Sequence, residues 1–182
     1  MEPLLDLNDP NLLNVVRAGN NTHSVQFYED VEFANNLLAE LIASDLQQGK
    51  GVLLFATKEN GQNIRRSLID LAIDVQQYIS SLQFEIFDSN ATCELFMEGG
   101  LPDEQILIQL VGNMIEKMSC RFPVVQVYGE MVNFLWAHGN VAGTIELELL
   151  LNKLLNAGYS FALHCFYCIK NFNNENIGDI FG

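Results

Sequence analysis

Gly51-Val52-Leu53-Leu54-Phe55-Ala56-Thr57 decides the fold. Five apolar residues run without a polar interruption between a glycine and a threonine. A strand with one wet face alternates apolar and polar residues, so an unbroken run of this length reads as a parallel strand buried on both faces. Such a strand needs helices above and below it and a place inside the sheet.

The flanking sequence supplies those helices. Upstream, Phe33, Leu37, Leu38, Leu41, Ile42 and Leu46 recur at helical spacing across Val31 to Gln48, with Asp30 as a capping residue and Gly49 as the stop. Before them, His23-Ser24-Val25-Gln26-Phe27-Tyr28 alternates with β-forming residues and predicts a first strand. Downstream, the pattern predicts a helix over Asn60 to Leu71, a short one over Val75 to Ile79 and a strand over Gln83 to Phe87. Pro102-Asp103-Glu104 then opens a helix reaching Met118, with proline and acids in its first turn. A strand over Val124 to Tyr128, a helix over Val141 to Asn156 and a strand over Tyr159 to Tyr167 complete the series. Strands separated by helical crossovers specify an α/β protein with a mostly parallel sheet covered on both faces. Residues 1–21 mix Asp, Asn and Pro with a short apolar stretch and read as an arm; residues 22–182 read as one domain.

The composition narrows the partners. The 182 residues are 49% hydrophobic and 18% charged, enough for one core, which at this length buries about 70% of the unfolded surface. Nine Lys and Arg against 23 Asp and Glu give a net charge of −14, a field that opposes nucleic acid and anionic lipid. There is no apolar run of membrane-spanning length and no signal-peptide pattern, so the expected compartment is the cytoplasm. In that compartment Cys93, Cys120, Cys165 and Cys168 are expected as free thiols.

Familiar catalytic patterns are absent. A phosphate loop needs backbone amides and a lysine after an early strand, but Tyr28-Glu29-Asp30 follows the first strand and Thr57-Lys58-Glu59-Asn60-Gly61 the second. No Gly-x-Ser-x-Gly nucleophile elbow occurs. Cys165-Phe166-Tyr167-Cys168 has redox spacing, yet a reactive first cysteine sits at a helix N-terminus and this one lies in a strand pattern. Zinc would need further ligands, and His23 and His138 lie far away in sequence, so no metal and no cofactor are expected.

The remaining candidates are polar groups at the sheet rim or on a helix face. Glu130 follows the fourth strand, where a carboxylate would accept a hydrogen bond from His23 or Tyr28, cap a helix, or meet a ligand. Trp136 reads as core or pocket lining. Glu148 and Asn152 stand four apart and share a helix face, where a buried Glu148 would anchor Tyr28 or a backbone amide, or serve a ligand.

Several of these short motifs together resemble the MEDS domain, the sensory domain of methanogen, methylotroph and DcmR-type regulators. They are His23-Ser24-Val25-Gln26-Phe27-Tyr28, the Gly49 turn into an apolar strand, Gly129-Glu130-Met131 with Leu135-Trp136, Glu148 with Asn152, and Leu163-His164-Cys165-Phe166-Tyr167. Together they span about Thr22 to Phe172. The resemblance implies a three-layer fold derived from the RecA/KaiC ATPases without their nucleotide loop, and a signalling role without catalysis. It further implies a small, hydrocarbon-like ligand in a pocket containing His23 and Cys165, with Tyr28, Glu130, Glu148 and Tyr167 as polar companions. With Gln26 and Trp136 added, these eight residues form the expected ligand-binding set. A histidine kinase or transcription regulator is the implied partner.

Two departures stand out. Lys50 occupies a position where the family often has Glu, and the chain stops at Phe181-Gly182, about where relatives continue toward an output domain. The ligand-sensor reading predicts an enclosed, semi-apolar pocket at the carboxyl edge of the sheet. The alternative is a protein-binding or homodimerisation module that keeps the nucleotide fold as a docking surface only.

Overall fold

The structure, a computed structural model, describes residues 21–171. Apart from Asn21, the arm expected over residues 1–21 lies outside the described residues. So do Phe172, where the motif match was expected to end, and the Phe181-Gly182 terminus. Seven strands, seven α-helices and a closing 3-10 turn, Ile169–Asn171, are described, and five of the strands form one sheet in the order β1-β7-β6-β2-β3. These are β1 Thr22–Tyr28, β2 Gly51–Ala56, β3 Phe84–Asp88, β6 Val125–Gly129 and β7 Ala162–Cys168, and every neighbouring pair is parallel. A two-stranded antiparallel ribbon, β4 Met97–Glu98 with β5 Leu101–Pro102, stands apart from it. The helices are α1 Val31–Gln47, α2 Lys58–Asp70, α3 Val75–Ser80, α4 Ser89–Phe96, α5 Glu104–Ser119, α6 Met131–Ala137 and α7 Val141–Asn156.

The apolar run that opened the sequence reading lies inside the sheet between β6 and β3, and all six of its residues are buried. Successive side chains of a strand point to opposite faces, and β2 divides accordingly. Leu53 and Phe55 join one core with Leu107 and Val111 of α5, Val132 and Trp136 of α6, and Leu147 and Leu151 of α7. Val52, Leu54 and Ala56 join the other with Leu38 and Ile42 of α1 and Ile64 and Leu68 of α2. The result is three layers, helix, sheet and helix. Each fully buried Leu or Phe contributes about 1.5–3 kcal/mol relative to an exposed one.

Local signals set the element ends. The Asp30 carboxylate accepts from the Phe33 amide at 2.7 Å and starts α1, and Gly49 ends it at a positive φ of 77° that glycine adopts without penalty. Thr57 caps α2 and Asp103 caps α5. Pro102 belongs to β5 instead of opening α5, because the Asp103 side chain takes the cap position and accepts the Ile106 amide. Helices α4 and α6 and the β4–β5 ribbon are additions to the elements read from sequence.

Candidate functional site

The parity of β1 divides the expected ligand-binding set. His23, Val25 and Phe27 face one side of the sheet, and Ser24, Gln26 and Tyr28 face the other. The same alternation on β7 puts Cys165 and Tyr167 with His23, and His164 with Ser24. The polar residues therefore form separate clusters instead of one pocket at the carboxyl edge.

The first cluster lies on the sheet face beneath α7, against the edge strand β1. His23 is the second residue of β1 and Cys165 the fourth of β7, with Val25 opposite Cys165 in the parallel register, so the imidazole reaches the sulfur diagonally. His23 Nε2 lies 3.2 Å from Cys165 Sγ and 3.4 Å from Glu148 Oε2. Glu148 and Asn152 project from α7 one turn apart. Asn152 Oδ1 accepts from His23 Nδ1 at 2.9 Å, which turns Nε2 toward Glu148 and Cys165. Tyr167 donates its hydroxyl to Glu148 Oε1 at 2.6 Å, and Phe27 stacks on the Tyr167 ring with centroids 5.7 Å apart.

Burial governs the chemistry of this cluster. Cys165 is 2% exposed, while the side chains of His23 and Glu148 keep 12% and 13% of their surface. Burial, then the neighbouring Glu148 carboxylate, pushes the Cys165 thiol well above its ordinary range. Burial likewise raises Glu148, and the Tyr167 hydroxyl and His23 pull it back only in part. The Tyr167 phenol is held protonated by burial and by Glu148. Imidazole nitrogen, carboxylate oxygen and thiol sulfur thus converge on one point at a partly open rim.

The second cluster occupies the carboxyl edge. Glu130, 8% exposed, follows β6 and accepts the Thr57 backbone N–H and the Asn60 side-chain amide, the latter at 2.7 Å. It ties α2 to the start of α6, and its pKa is raised by burial against the lowering effect of those hydrogen bonds. This corrects the expected partners: Glu130 is held by Thr57 and Asn60 rather than His23, and Glu148 by Tyr167 rather than Tyr28. Tyr28 is buried in the core under α1, and burial followed by the Glu130 charge raises its pKa. Gln26 shares the Tyr28 side and is half-buried. Trp136 packs in the opposite core and donates its indole N–H to the Asn171 carbonyl at 2.8 Å.

A third polar chain escaped the sequence reading. Ser24 Oγ stands 2.6 Å from His164 Nδ1, and His164 Nε2 stands 2.8 Å from Gln126 Oε1, so Ser24 donates to the ring and the ring donates to Gln126. Tyr128 stacks on His164 and donates to Asp45 at 2.5 Å, and Asp45 is also bound by Lys50 at 2.7 Å. Lys50 thus has a structural role, holding Asp45 beneath the Tyr128 hydroxyl. The signal lay in alternate polar residues of otherwise apolar strands.

Cys165 and Cys168 occupy opposite faces of β7, and all four cysteines are free. The apolar cavity that Cys165 helps to line, with Phe55, Val127, Leu151, Leu163 and others, has a volume of about 10 Å³. That is room for one water and none for a hydrocarbon, so the core beside the sulfur is packed; the cleft at the carboxyl ends of β2 and β3, about 500 Å³ and bordered by Thr57, Lys58, Arg65 and Asp88, is open to solvent and contains neither His23 nor Cys165. Among the described residues, no helix is long and apolar enough to cross a membrane.

Residues 22–182 match the family described as MEDS, the MEthanogen/methylotroph, DcmR Sensory domain. The chain belongs to the MEDS family. Its role is accordingly sensory, and the resemblance read from the motifs holds over nearly the whole chain. A KaiC-like protein from the hyperthermophilic archaeon Pyrococcus horikoshii is similar in fold, with a TM-score of 0.57 at 10% identity, over 88% of this chain and 69% of that one. No curated protein matches this MEDS chain. The RecA/KaiC-like layered fold is established by that likeness together with the five-stranded parallel sheet.

Proposed function

We propose that this MEDS domain detects a small ligand at the His23–Glu148–Cys165 cluster and relays its occupancy to a histidine kinase or transcription regulator, without catalysing a reaction. The observation that carries the reading is the convergence of the three side chains at a rim where His23 and Glu148 retain access to solvent. Glu148 and Asn152 both stand on α7, so a ligand that pulls on either would shift this helix against the sheet, a movement a partner can read. A hydrocarbon-like ligand requires α7 to lift away from β7, since the cavity beside Cys165 is too small as it stands.

A thermal-shift screen of small thiols, amines and halogenated hydrocarbons, run with chelator throughout, tests this reading. The sensor reading predicts compounds that raise the melting temperature of the wild-type chain and lose that effect in His23→Ala and Cys165→Ser. Compounds that stabilise all three chains equally would contradict it.

A second reading, an interaction or self-association module, is favoured by exposed apolar side chains. Leu101, Ile106 and Leu149 are all exposed, on elements β5, α5 and α7 that pack together. Sedimentation over a range of concentrations separates the two, because this module would associate without any ligand.

A further inference from the structure

We infer that His23, Glu148 and Cys165 form a binding site for a divalent d-block metal ion of zinc type, with these three side chains as ligands and a further position left for water or an incoming Lewis base. The inference rests on the reading of this cluster as the ligand site and specifies what binds there.

The donor set is the first argument. Imidazole nitrogen, thiolate sulfur and carboxylate oxygen are the three protein donors zinc accepts, and three of them with an open position is the usual arrangement of a zinc that must also take an exogenous ligand. Their ligand atoms lie within 4.8 Å of one another.

The spacing is the second. Bonds of about 2.0–2.1 Å to nitrogen and oxygen and about 2.3 Å to sulfur set tetrahedral donor pairs about 3.3–3.6 Å apart. His23 Nε2 stands 3.2 Å from Cys165 Sγ and 3.4 Å from Glu148 Oε2, so small side-chain adjustments bring all three around one ion.

Orientation is the third. A metal-bound histidine normally donates its other ring N–H to a fixed acceptor, and a metal-bound carboxylate is itself hydrogen-bonded. Asn152 Oδ1 accepts the Nδ1–H of His23, and Tyr167 occupies Glu148 Oε1, leaving Nε2 facing both the sulfur and Glu148 Oε2. Asn152 and Tyr167 are positioning residues.

Charge is the fourth. A divalent ion balances one thiolate and one carboxylate, so the loaded cluster carries no net charge where Cys165 is 2% exposed. Binding replaces the thiol proton: the S–H bond is exchanged for an S–metal bond and one proton passes to the buffer. No oxidant or reductant is involved.

Cobalt(II) is the probe. The chelator-treated, reduced chain is titrated anaerobically with Co²⁺ and read by absorbance. The expected result is saturation at one equivalent, with a sulfur-to-cobalt charge-transfer band in the near ultraviolet, visible bands of four-coordinate intensity, and loss of both on adding Zn²⁺. Cys165→Ser and His23→Ala abolish the near-ultraviolet band and the one-equivalent end point respectively, with folding checked by circular dichroism. Cys168→Ser and Cys120→Ser leave the spectrum unchanged. Asn152→Ala weakens cobalt binding about 10- to 100-fold, as loss of a histidine-orienting partner does, while Asn152→Asp restores it.

A wild-type chain without the charge-transfer band, or a band that survives in Cys165→Ser, overturns the inference. Compounds that bind through His23 and Cys165 in chelator would leave the sensor reading standing without the metal. A cobalt site in a chain that no organic compound stabilises would leave the metal standing without an organic ligand.

Discussion

His23 Nε2 and Cys165 Sγ stand 3.2 Å apart across the β1–β7 pair, although 142 residues separate them in sequence. The parallel register makes this contact, and α7 completes it by lowering Glu148 and Asn152 onto the same imidazole. The proposed sensing cluster thus lies on a sheet face beside the edge strand β1, whereas Glu130 stands at the carboxyl ends of the strands, the usual ligand position in open α/β sheets.

Tyr167→Phe removes the hydroxyl that satisfies Glu148 Oε1 and leaves a buried carboxylate oxygen without that donor. The expected loss is about 1–3 kcal/mol in urea unfolding. An unchanged midpoint would show that Glu148 finds another donor.

Glu130→Ala unties the first turn of α2 from β6 by removing the acceptor of the Thr57 N–H and the Asn60 amide. A destabilisation of about 1–3 kcal/mol is expected, with faster hydrogen exchange at the Thr57 amide. Cobalt binding is expected to stay as in the wild type, because the Glu130 and His23 clusters share no residue. Loss of the cobalt spectrum in Glu130→Ala would contradict that separation.

The sequence carried most of the fold because buried parallel strands and amphipathic helices leave strong periodic signals. Helix α6 was hidden because Met131, Val132, Leu135 and Trp136 are all buried, so the segment has little polar punctuation and merges with the apolar end of β6. Helix α4, Ser-Asn-Ala-Thr-Cys-Glu-Leu-Phe, is short and rich in residues that favour turns. For the site, the pocket expected from sequence joined His23 and Tyr28, although residues five apart on one strand face opposite sides of the sheet. The pairing of β1 with β7, which brings His23 to Cys165, is a long-range register that no local pattern encodes.

His164 gives a pH-dependent stability. Burial, then the charges of His23 and Lys50, lowers its pKa from 6.5 to about 4. The folded state thus binds fewer protons than the unfolded chain between these values. Its contribution is complete above pH about 6.5 and is lost as the pH falls toward about 4, up to roughly 3 kcal/mol. His164→Gln is expected to flatten the stability profile in that window, measured by urea unfolding at successive pH values. A mutant profile as steep as the wild type would refute the assignment.

The thiols should divide by burial. Cys120 is exposed and Cys168 half-buried, whereas Cys93 and Cys165 are buried and the Cys93 thiol is pushed up to about 12, by burial first and Glu94 second. An aromatic disulfide reagent is expected to modify Cys120 and Cys168 in the native chain and all four cysteines only after unfolding. Rapid native labelling of Cys165 would show that the face beneath α7 opens freely.

X-ray absorption at the zinc edge, on the chain loaded with one equivalent of Zn²⁺, tests the central claim most directly. The account predicts one sulfur neighbour at about 2.3 Å and nitrogen or oxygen neighbours at about 2.0–2.1 Å, with the sulfur shell missing in Cys165→Ser. A first shell of oxygen and nitrogen alone, or a sulfur shell that persists in that variant, would contradict it.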